Sequence, residues 1–368
     1  MSTAAGAPVA VHQFVPTLNP HDATGTHTLL AREALRAAGW RSEIFAEAIH
    51  DDLAAAAYKH WAYPEHAAAG DVAIYQFTTS SQLAGYLAER GLPLILDFHN
   101  VTGPEYFAGW EPRTQERAAS AADELALLAP RALLGLAKSG FSERALRSAG
   151  CRRTGVVPVL ADYGRVTATP DPIVAAELGR ERAEGGADIL FVGRVVPSKA
   201  QHDLVKALWT YRRLYDAKAR LHLVGGTSSF EYLRALQDYV EELGLRSAVR
   251  LTGEVSDASL AAHYAVADVF LSLSAHEGFG VPLVEAMAAG VPVVARPAGA
   301  VAETVGDAAL LLRAADPAYV AAALHRASTD DALRAVLVEA GRRRVAALSD
   351  GAASRAFVDA VAAVVARP

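Results

Sequence analysis

Two stretches of this chain hold residue types whose spacing could do chemistry. The denser is Ser274-Ala275-His276-Glu277-Gly278-Phe279-Gly280-Val281-Pro282-Leu283-Val284-Glu285-Ala286-Met287. Gly278 and Gly280 let backbone approach a ligand closely, and Pro282 suits the first helical position, leaving free N–H groups aimed at an anion. A phosphate or a sugar hydroxyl fits there. Glu277 in the loop and Glu285 a turn into the helix flank one Gly-rich turn and would serve different parts of one ligand. The plainer alternative is a solvated Glu277 and a Glu285 that compensates the helix N-terminus. The second stretch, Ile189 to Lys199, is an apolar run ending at Gly193, with Arg194 and Lys199 five residues apart. A guanidinium fork and a mobile ammonium could share one diphosphate, each worth roughly 4 kcal/mol at about 4 Å and an effective dielectric of about 20.

The elements that must position these loops follow from periodicity and breakers. In the first half, strand-like runs at Val9–Val11, Val72–Tyr75, Leu94–Leu96, Ala132–Leu136 and Val156–Leu160 alternate with helical stretches at Thr28–Ala38 and Pro112–Leu128. Ala161 to Asp171 has no apolar periodicity and reads as a linker. The second half restarts with strands at Asp188–Val192, Arg220–Val224, Val249–Leu251, Val269–Leu273 and Val291–Ala295. Between them fall helices at Gln201–Tyr215, Phe230–Leu243, Ser259–Ala265 and Pro282–Ala289. Such alternation predicts two parallel sheets covered by helices, with ligands beyond the carboxyl ends of the strands. The expected organisation is a Rossmann-like domain over 1–164, a second over 165–345, and a C-terminal helix over 346–368 packing back on the first. Within that helix Ala352–Ala366 places Phe357, Val361 and Val365 on one side, as a core face would.

Composition narrows the classes. With 368 residues the chain suits two domains, and 52% apolar with 21% charged residues excludes global disorder. A net charge of −6 with both signs interspersed gives no basic field for nucleic acid. The single cysteine, Cys151, allows no internal disulfide and no thiolate cluster, which suits a reducing cytoplasm. Met1 to Val15 lacks the basic start of a secretory signal, and prolines and arginines break every long apolar run, so no transmembrane segment is expected.

Gly193-Arg194 to Lys199, the Glu277 to Glu285 spacing with seven residues between, and Ala288 to Val294 together resemble family 4 retaining glycosyltransferases of the GT-B fold. The likeness extends through Gly299 to Glu303 and more weakly through Ser139 to Leu160. It implies two Rossmann-like doubly wound domains facing a central cleft, the first mainly for the acceptor and the second for a nucleotide-sugar donor. By the resemblance Gly193, Arg194 and Lys199 hold the donor's diphosphate, Glu285 the ribose hydroxyls, and Glu277 with the backbone of Gly278, Phe279, Gly280, Val281 and Pro282 the transferred sugar. The base lies near Gly253 to Val255. In the first domain, Asp22 to His27 resembles the glycine-bearing loop that meets the phosphates, through Gly25 and Thr26, and Asp97 to Tyr106 resembles a segment whose histidine, His99, approaches the donor sugar. Glu277, His99, Arg194 and Lys199 are thus the implied catalytic set. One departure is Ala200, which stands where a glycine is frequent.

The expected function is retaining transfer of a hexose-type sugar from a UDP- or GDP-linked donor to a hydroxyl acceptor, which is a small molecule, a glycan or a lipid-linked sugar. The donor is a substrate, so no cofactor is expected. The chain has no Asp-x-Asp pair, which favours metal-independent chemistry, and His12, His21, His27 and His276 have no spacing that singles out a metal site. Trp61, Tyr63, Tyr106 and Trp110 could stack on an acceptor ring, although packing is the commoner use of such residues. Rival readings are a non-catalytic GT-B protein that binds sugar or nucleotide, and a nucleotide-sugar epimerase. A nicotinamide dehydrogenase is disfavoured, since no Gly-x-Gly-x-x-Gly follows a strand. The expected location is cytoplasmic, with peripheral contact to a membrane surface left open.

Overall fold

The computed structural model describes residues 10–64 and 71–365. Val9, the end of the Tyr58–His66 loop, Ala366 and most of the stretch from Met1 to Val15 lie outside the described residues. The chain divides into two compact units, one formed by residues 1–104, 113–161 and 349–368, the other by 105–112 and 162–348.

The first unit is built on seven parallel strands: β1 (Val11–Leu18), β2 (Ile44–Ile49), β3 (Tyr58–Lys59), β4 (Val72–Phe77), β5 (Leu94–Phe98), β6 (Leu134–Ala137) and β7 (Thr154–Val156), in the order β3-β2-β1-β4-β5-β6-β7. Strands buried on both faces read as near-continuous apolar runs, as in Val72–Phe77, where every residue is buried and only Gln76 is polar. One face packs Phe14, Tyr75, Phe77, Leu96 and Leu125 together. The other joins Val11, Ile74 and Ile95 to Ala31 and Leu35 of the helix Ala23–Ala37 and to Phe357, Val361 and Val364 of the helix Asp350–Val365.

Six parallel strands make the sheet of the second unit: β8 (Asp188–Val192), β9 (Arg220–Val224), β10 (Val249–Gly253), β11 (Val269–Ser272), β12 (Val293–Ala295) and β13 (Ala309–Leu311), in the order β10-β9-β8-β11-β12-β13. Its core runs from Ile189, Phe191 and Leu223 to Leu204, Leu208 and Tyr211 of the helix Gln201–Leu214 and Leu324 of the helix Pro317–Thr329.

In both sheets the strand order reverses once, between β1 and β4 and between β8 and β11. Loops leaving the carboxyl ends of strands at such a reversal diverge to opposite faces and leave a crevice. The loops that follow β8 and β11 are Gly193–Lys199 and the run from Ser274 to Gly280, the two stretches singled out by residue type.

Several elements depart from the sequence expectations. Asp22 caps the first helix, its carboxylate accepting the Gly25 N–H at 2.7 Å, so the helix starts at Ala23 rather than Thr28, and Gly25 and Thr26 lie in its first turn, not in an open loop. The strand expected at Val156–Leu160 is displaced to Thr154–Val156. The linker holds a short 3-10 helix, Tyr163–Thr167, because Asp162 accepts the Gly164 N–H and anchors its start.

Candidate active site

At the β8/β11 reversal, the helix Val281–Ala288 begins directly after Gly280, with Pro282 in its first turn. The backbone that presents Glu277 is tied down on two sides. Its carbonyl accepts the Ala300 N–H at 2.9 Å, and the Ala275 N–H donates to the Ser198 carbonyl at 2.8 Å, joining this loop to the one after β8. Gly299 makes the first tie possible: at φ +60 it lies so close that a Cβ there would be 2.2 Å from the Glu277 carbonyl oxygen. Phe279 is buried, its carbonyl accepting the Thr304 hydroxyl at 2.6 Å.

Lys199 Nζ and Glu277 Oε1 meet at 2.6 Å, both partly solvent-exposed. Arg194 is exposed on the same loop, and its carbonyl accepts the Gln201 side-chain amide at 2.8 Å. Ala200, which follows Lys199, takes the left-handed conformation (φ +52, ψ +41) that a glycine would adopt at less cost. Val255 is half-buried in the turn after β10.

Glu285 sits apart from Glu277. Its Oε1 accepts from Arg165 Nε (2.9 Å) and Nη2 (2.6 Å), its Oε2 accepts from the Tyr264 hydroxyl (3.1 Å), and it is 1% exposed. Arg165 Nη1 also pairs with Asp257 at 3.0 Å. In this conformation Glu285 is held by Arg165 and Tyr264 and Glu277 by Lys199, which is neither a solvated Glu277 nor a Glu285 that only compensates the helix N-terminus. Arg165 lies in the expected linker and offered no sequence signal beyond its charge.

Residues 105–112 belong to this second unit. The Tyr106 hydroxyl donates to the Ala275 carbonyl at 3.3 Å and its ring lies 5.8 Å from that of His276, while Trp110 meets Tyr232 edge-on. Both aromatics therefore pack against protein. Burial lowers the pKa of His276, with Lys199 acting in the same direction and Glu277 against it.

In the first unit His99 follows the end of β5, beside a buried ionic cluster. Asp97 is fully buried on β5, with Lys138 Nζ 2.5 Å from its Oδ1 and His27 Nε2 2.8 Å from its Oδ2. The Leu160 N–H donates to His27 Nδ1 at 2.9 Å, so His27 is a fully engaged structural residue. Burial would raise the Asp97 carboxyl, but Lys138 and His27 outweigh it and hold its pKa far below the usual range. For His99, burial first and Lys138 second push the pKa well down, leaving the ring neutral. Gly25 packs against the loop before its helix: a Cβ there would lie 1.7 Å from the Asn19 carbonyl oxygen. His27, Asp97 and His99 also lie within reach of one common ion, as do the exposed His21, His50 and Asp52; in the first group Lys138 already supplies the positive charge. Asp97 and Lys138 carry no local signal of their pairing, since a charge at the end of an apolar strand is usually exposed.

Residues 179–344 match the family described as glycosyl transferases, group 1. Over that stretch the chain is similar to group 1 glycosyl transferases. Among similar proteins, the D-inositol 3-phosphate glycosyltransferase of Geodermatophilus obscurus is 37% identical over 202 residues, 52% of this chain and 43% of the relative. That of Salinispora arenicola is 32% identical over 276 residues, 70% of this chain and 61% of the relative. A GDP-mannose-dependent alpha-(1-6)-phosphatidylinositol monomannoside mannosyltransferase of Mycobacterium tuberculosis is 40% identical over 144 residues, 37% of this chain and 36% of the relative. The matched region thus spans less than two thirds of these relatives' length. Among solved structures, Anabaena HepE in complex with UDP and glucose superposes with a TM-score of 0.77 at 20% identity, covering 96% of this chain and 100% of that one. Sucrose-phosphate synthase from Thermosynechococcus elongatus gives 0.76 at 21% identity, covering 97% and 99%. The chain therefore has the GT-B fold. No helix among the described residues is long and apolar enough to cross a membrane.

Proposed function

We propose that this chain is a retaining, metal-independent hexosyltransferase that moves a sugar from a UDP- or GDP-linked donor to a hydroxyl of a small-molecule, glycan or lipid-linked acceptor. The observation that carries the reading is the Lys199–Glu277 pair at the β8/β11 reversal, beside the N-terminus of the helix Val281–Ala288. A diphosphate there would draw Lys199 off Glu277, free that carboxylate for a sugar hydroxyl, and gain Arg194 and the helix N–H groups. Gly193, Gly278, Phe279, Gly280 and Val281 supply backbone to the donor and Val255 borders the base; within the first unit, Gly25, Thr26 and His99 are the proposed substrate contacts. Glu285 reaches the ribose hydroxyls once Arg165 moves off it. The names of the relatives support sugar transfer as the reaction class, and those of HepE and the mannosyltransferase name UDP and GDP-mannose respectively.

The chemistry asked of the protein is stabilisation of the departing nucleoside diphosphate. Preorganised cations and N–H groups do this, and losing one donor costs about 3 kcal/mol in the barrier. The transfer proceeds as a front-face displacement assisted by the leaving phosphate; a trapped glycosyl-enzyme adduct in mass spectrometry would overturn that route. Thermal unfolding with UDP, GDP, ADP, dTDP and NAD, each at about 100 times the dissociation constant, tests the donor site, since binding then adds about 2.7 kcal/mol. Selective stabilisation by UDP or GDP is expected. A shift with NAD alone, or with none of them, sinks the proposal, and free sugar released from the donor without any acceptor would favour the epimerase.

A further inference from the structure

Two glutamines in the middle of the first sheet have no part in the site as drawn so far. Gln13 on β1 and Gln76 on β4 are fully buried, where amides are costly unless every polar atom is matched. β1, β4 and β5 are neighbours, and the residue paired with Gln76 across β4 and β5 is Asp97, two positions before His99. A line of hydrogen bonds crosses these strands. Gln13 Nε2 donates to the Thr28 carbonyl at 3.0 Å, Gln76 Nε2 donates to Gln13 Oε1 at 2.9 Å, and Gln76 Oε1 faces His99 Nε2 at 2.6 Å.

The direction of this line is set at its far end. A backbone carbonyl only accepts, so the Gln13 atom facing Thr28 must be its amide nitrogen. Gln13 then has only its oxygen to offer Gln76, and Gln76 has only its oxygen left for the ring. The His99 nitrogen that meets that oxygen must carry the hydrogen, because any reversal would set two lone pairs or two hydrogens face to face. In a neutral imidazole the other nitrogen, Nδ1, is then bare.

We propose that Gln13 and Gln76 are positioning residues that lock His99 as its Nε2–H tautomer, so that the ring meets a substrate hydroxyl only as an acceptor, through Nδ1. This rests on the reading of His99 as a residue that touches substrate. The charged and titratable groups around the ring act together: Lys138 and His27 disfavour a second proton and Asp97 favours one, with burial on the side of the neutral ring. His99 thus takes a hydrogen bond from a sugar hydroxyl and gives none.

Nitrogen NMR of the full-length protein with labelled histidine reads the tautomer directly, with the His99 signals assigned by their loss in His99→Asn. At neutral pH the expected pattern is a protonated Nε2 and a bare Nδ1. In Gln76→Glu a carboxylate faces the same Nε2–H and favours a second proton, so the ring becomes cationic. Transfer then falls roughly a hundredfold and recovers as pH rises, a limb absent from the wild-type profile. Gln76→Met removes the acceptor without adding charge, and a mixture of both tautomers is expected. A wild-type ring protonated at Nδ1, or a ring and a pH profile unchanged in the folded variants, overturns the proposal. If the variants do not fold, the wild-type tautomer alone decides it. If the wild type transfers no sugar, the functional reading fails while the NMR pattern still decides the relay.

Discussion

The two units each place a lysine against a carboxylate near the carboxyl end of a central strand, and the two pairs differ in what water can reach. Lys138 and Asp97 are 1% and 0% exposed, whereas Lys199 and Glu277 are partly open. A fully buried pair is committed: each charge has lost its hydration and tolerates neither a missing partner nor a competing ion. A pair that solvent reaches can exchange, so an incoming phosphate can replace the carboxylate on the lysine at small cost. The first arrangement suits a scaffold that fixes the electrostatic setting of His99, the second a site that binds anions.

The sharpest way to break this contrast is Lys138→Met, which leaves Asp97 charged and buried without its cation, with only His27 still on its other oxygen. Chemical denaturation is expected to show a loss of about 3 to 5 kcal/mol. The matching change in the second unit, Lys199→Ala, is expected to cost about 1 kcal/mol or less in stability while transfer falls about a hundredfold, close to 3 kcal/mol in the barrier. Unchanged turnover in the purified variant would remove Lys199 from the donor site.

Why the sequence conveyed one pair's region and not the other's is a matter of range. The helix Pro112–Leu128 and the strands Asp188–Val192 and Arg220–Val224 are legible to the residue, because a proline or a charged residue opens each and the apolar period lies within it. Glu277 and Lys199 stand in Gly-rich loops next to such strands and so attract notice, though their pairing across 78 positions does not show. Lys138 and Asp97 look like loop residues because nothing local says that they meet. The cover that Arg165 places on Glu285 across 120 positions is likewise tertiary, whereas the capping of Gly25 by Asp22 is local and is legible as an Asp ahead of a helical run.

Acidification probes the neutral side of the same electrostatics. His263, buried in the second unit, has its pKa lowered to about 4 by burial first and by His222 and Arg250 next. The unfolded chain takes up the proton near 6.5 and the folded one does not, so this contribution to stability is complete above pH 6.5 and is lost as pH falls towards 4. Between pH 6.5 and 5 the loss is about 2 kcal/mol for this residue, and the lowered His99 adds to it with the same sign. Denaturant midpoints measured across that range check the slope; a flat profile would mean that these rings are protonated in the fold.

The smallest expected effect concerns the turn that carries Lys199. Ala200→Gly relieves the left-handed strain, and after the added freedom of the unfolded chain is counted a gain of about 1 kcal/mol or less is expected, read as a raised denaturation midpoint. A loss instead would show that the Ala200 methyl, buried in the native state, contributes more by packing than its backbone costs.

The helix Asp350–Val365 completes an apolar layer whose other members include Val11, Ala31, Leu35 and Ile74. A ribosome making this chain extrudes the entire second unit between those early residues and Phe357. Until then the face of the seven-stranded sheet that the helix Ala23–Ala37 covers in part stays otherwise open, an invitation to aggregation or to chaperone capture. The second unit, whose sheet needs nothing after Leu348, is free to mature first, so vectorial synthesis inverts the usual order in which the domain nearer the start of a chain folds before the one that follows.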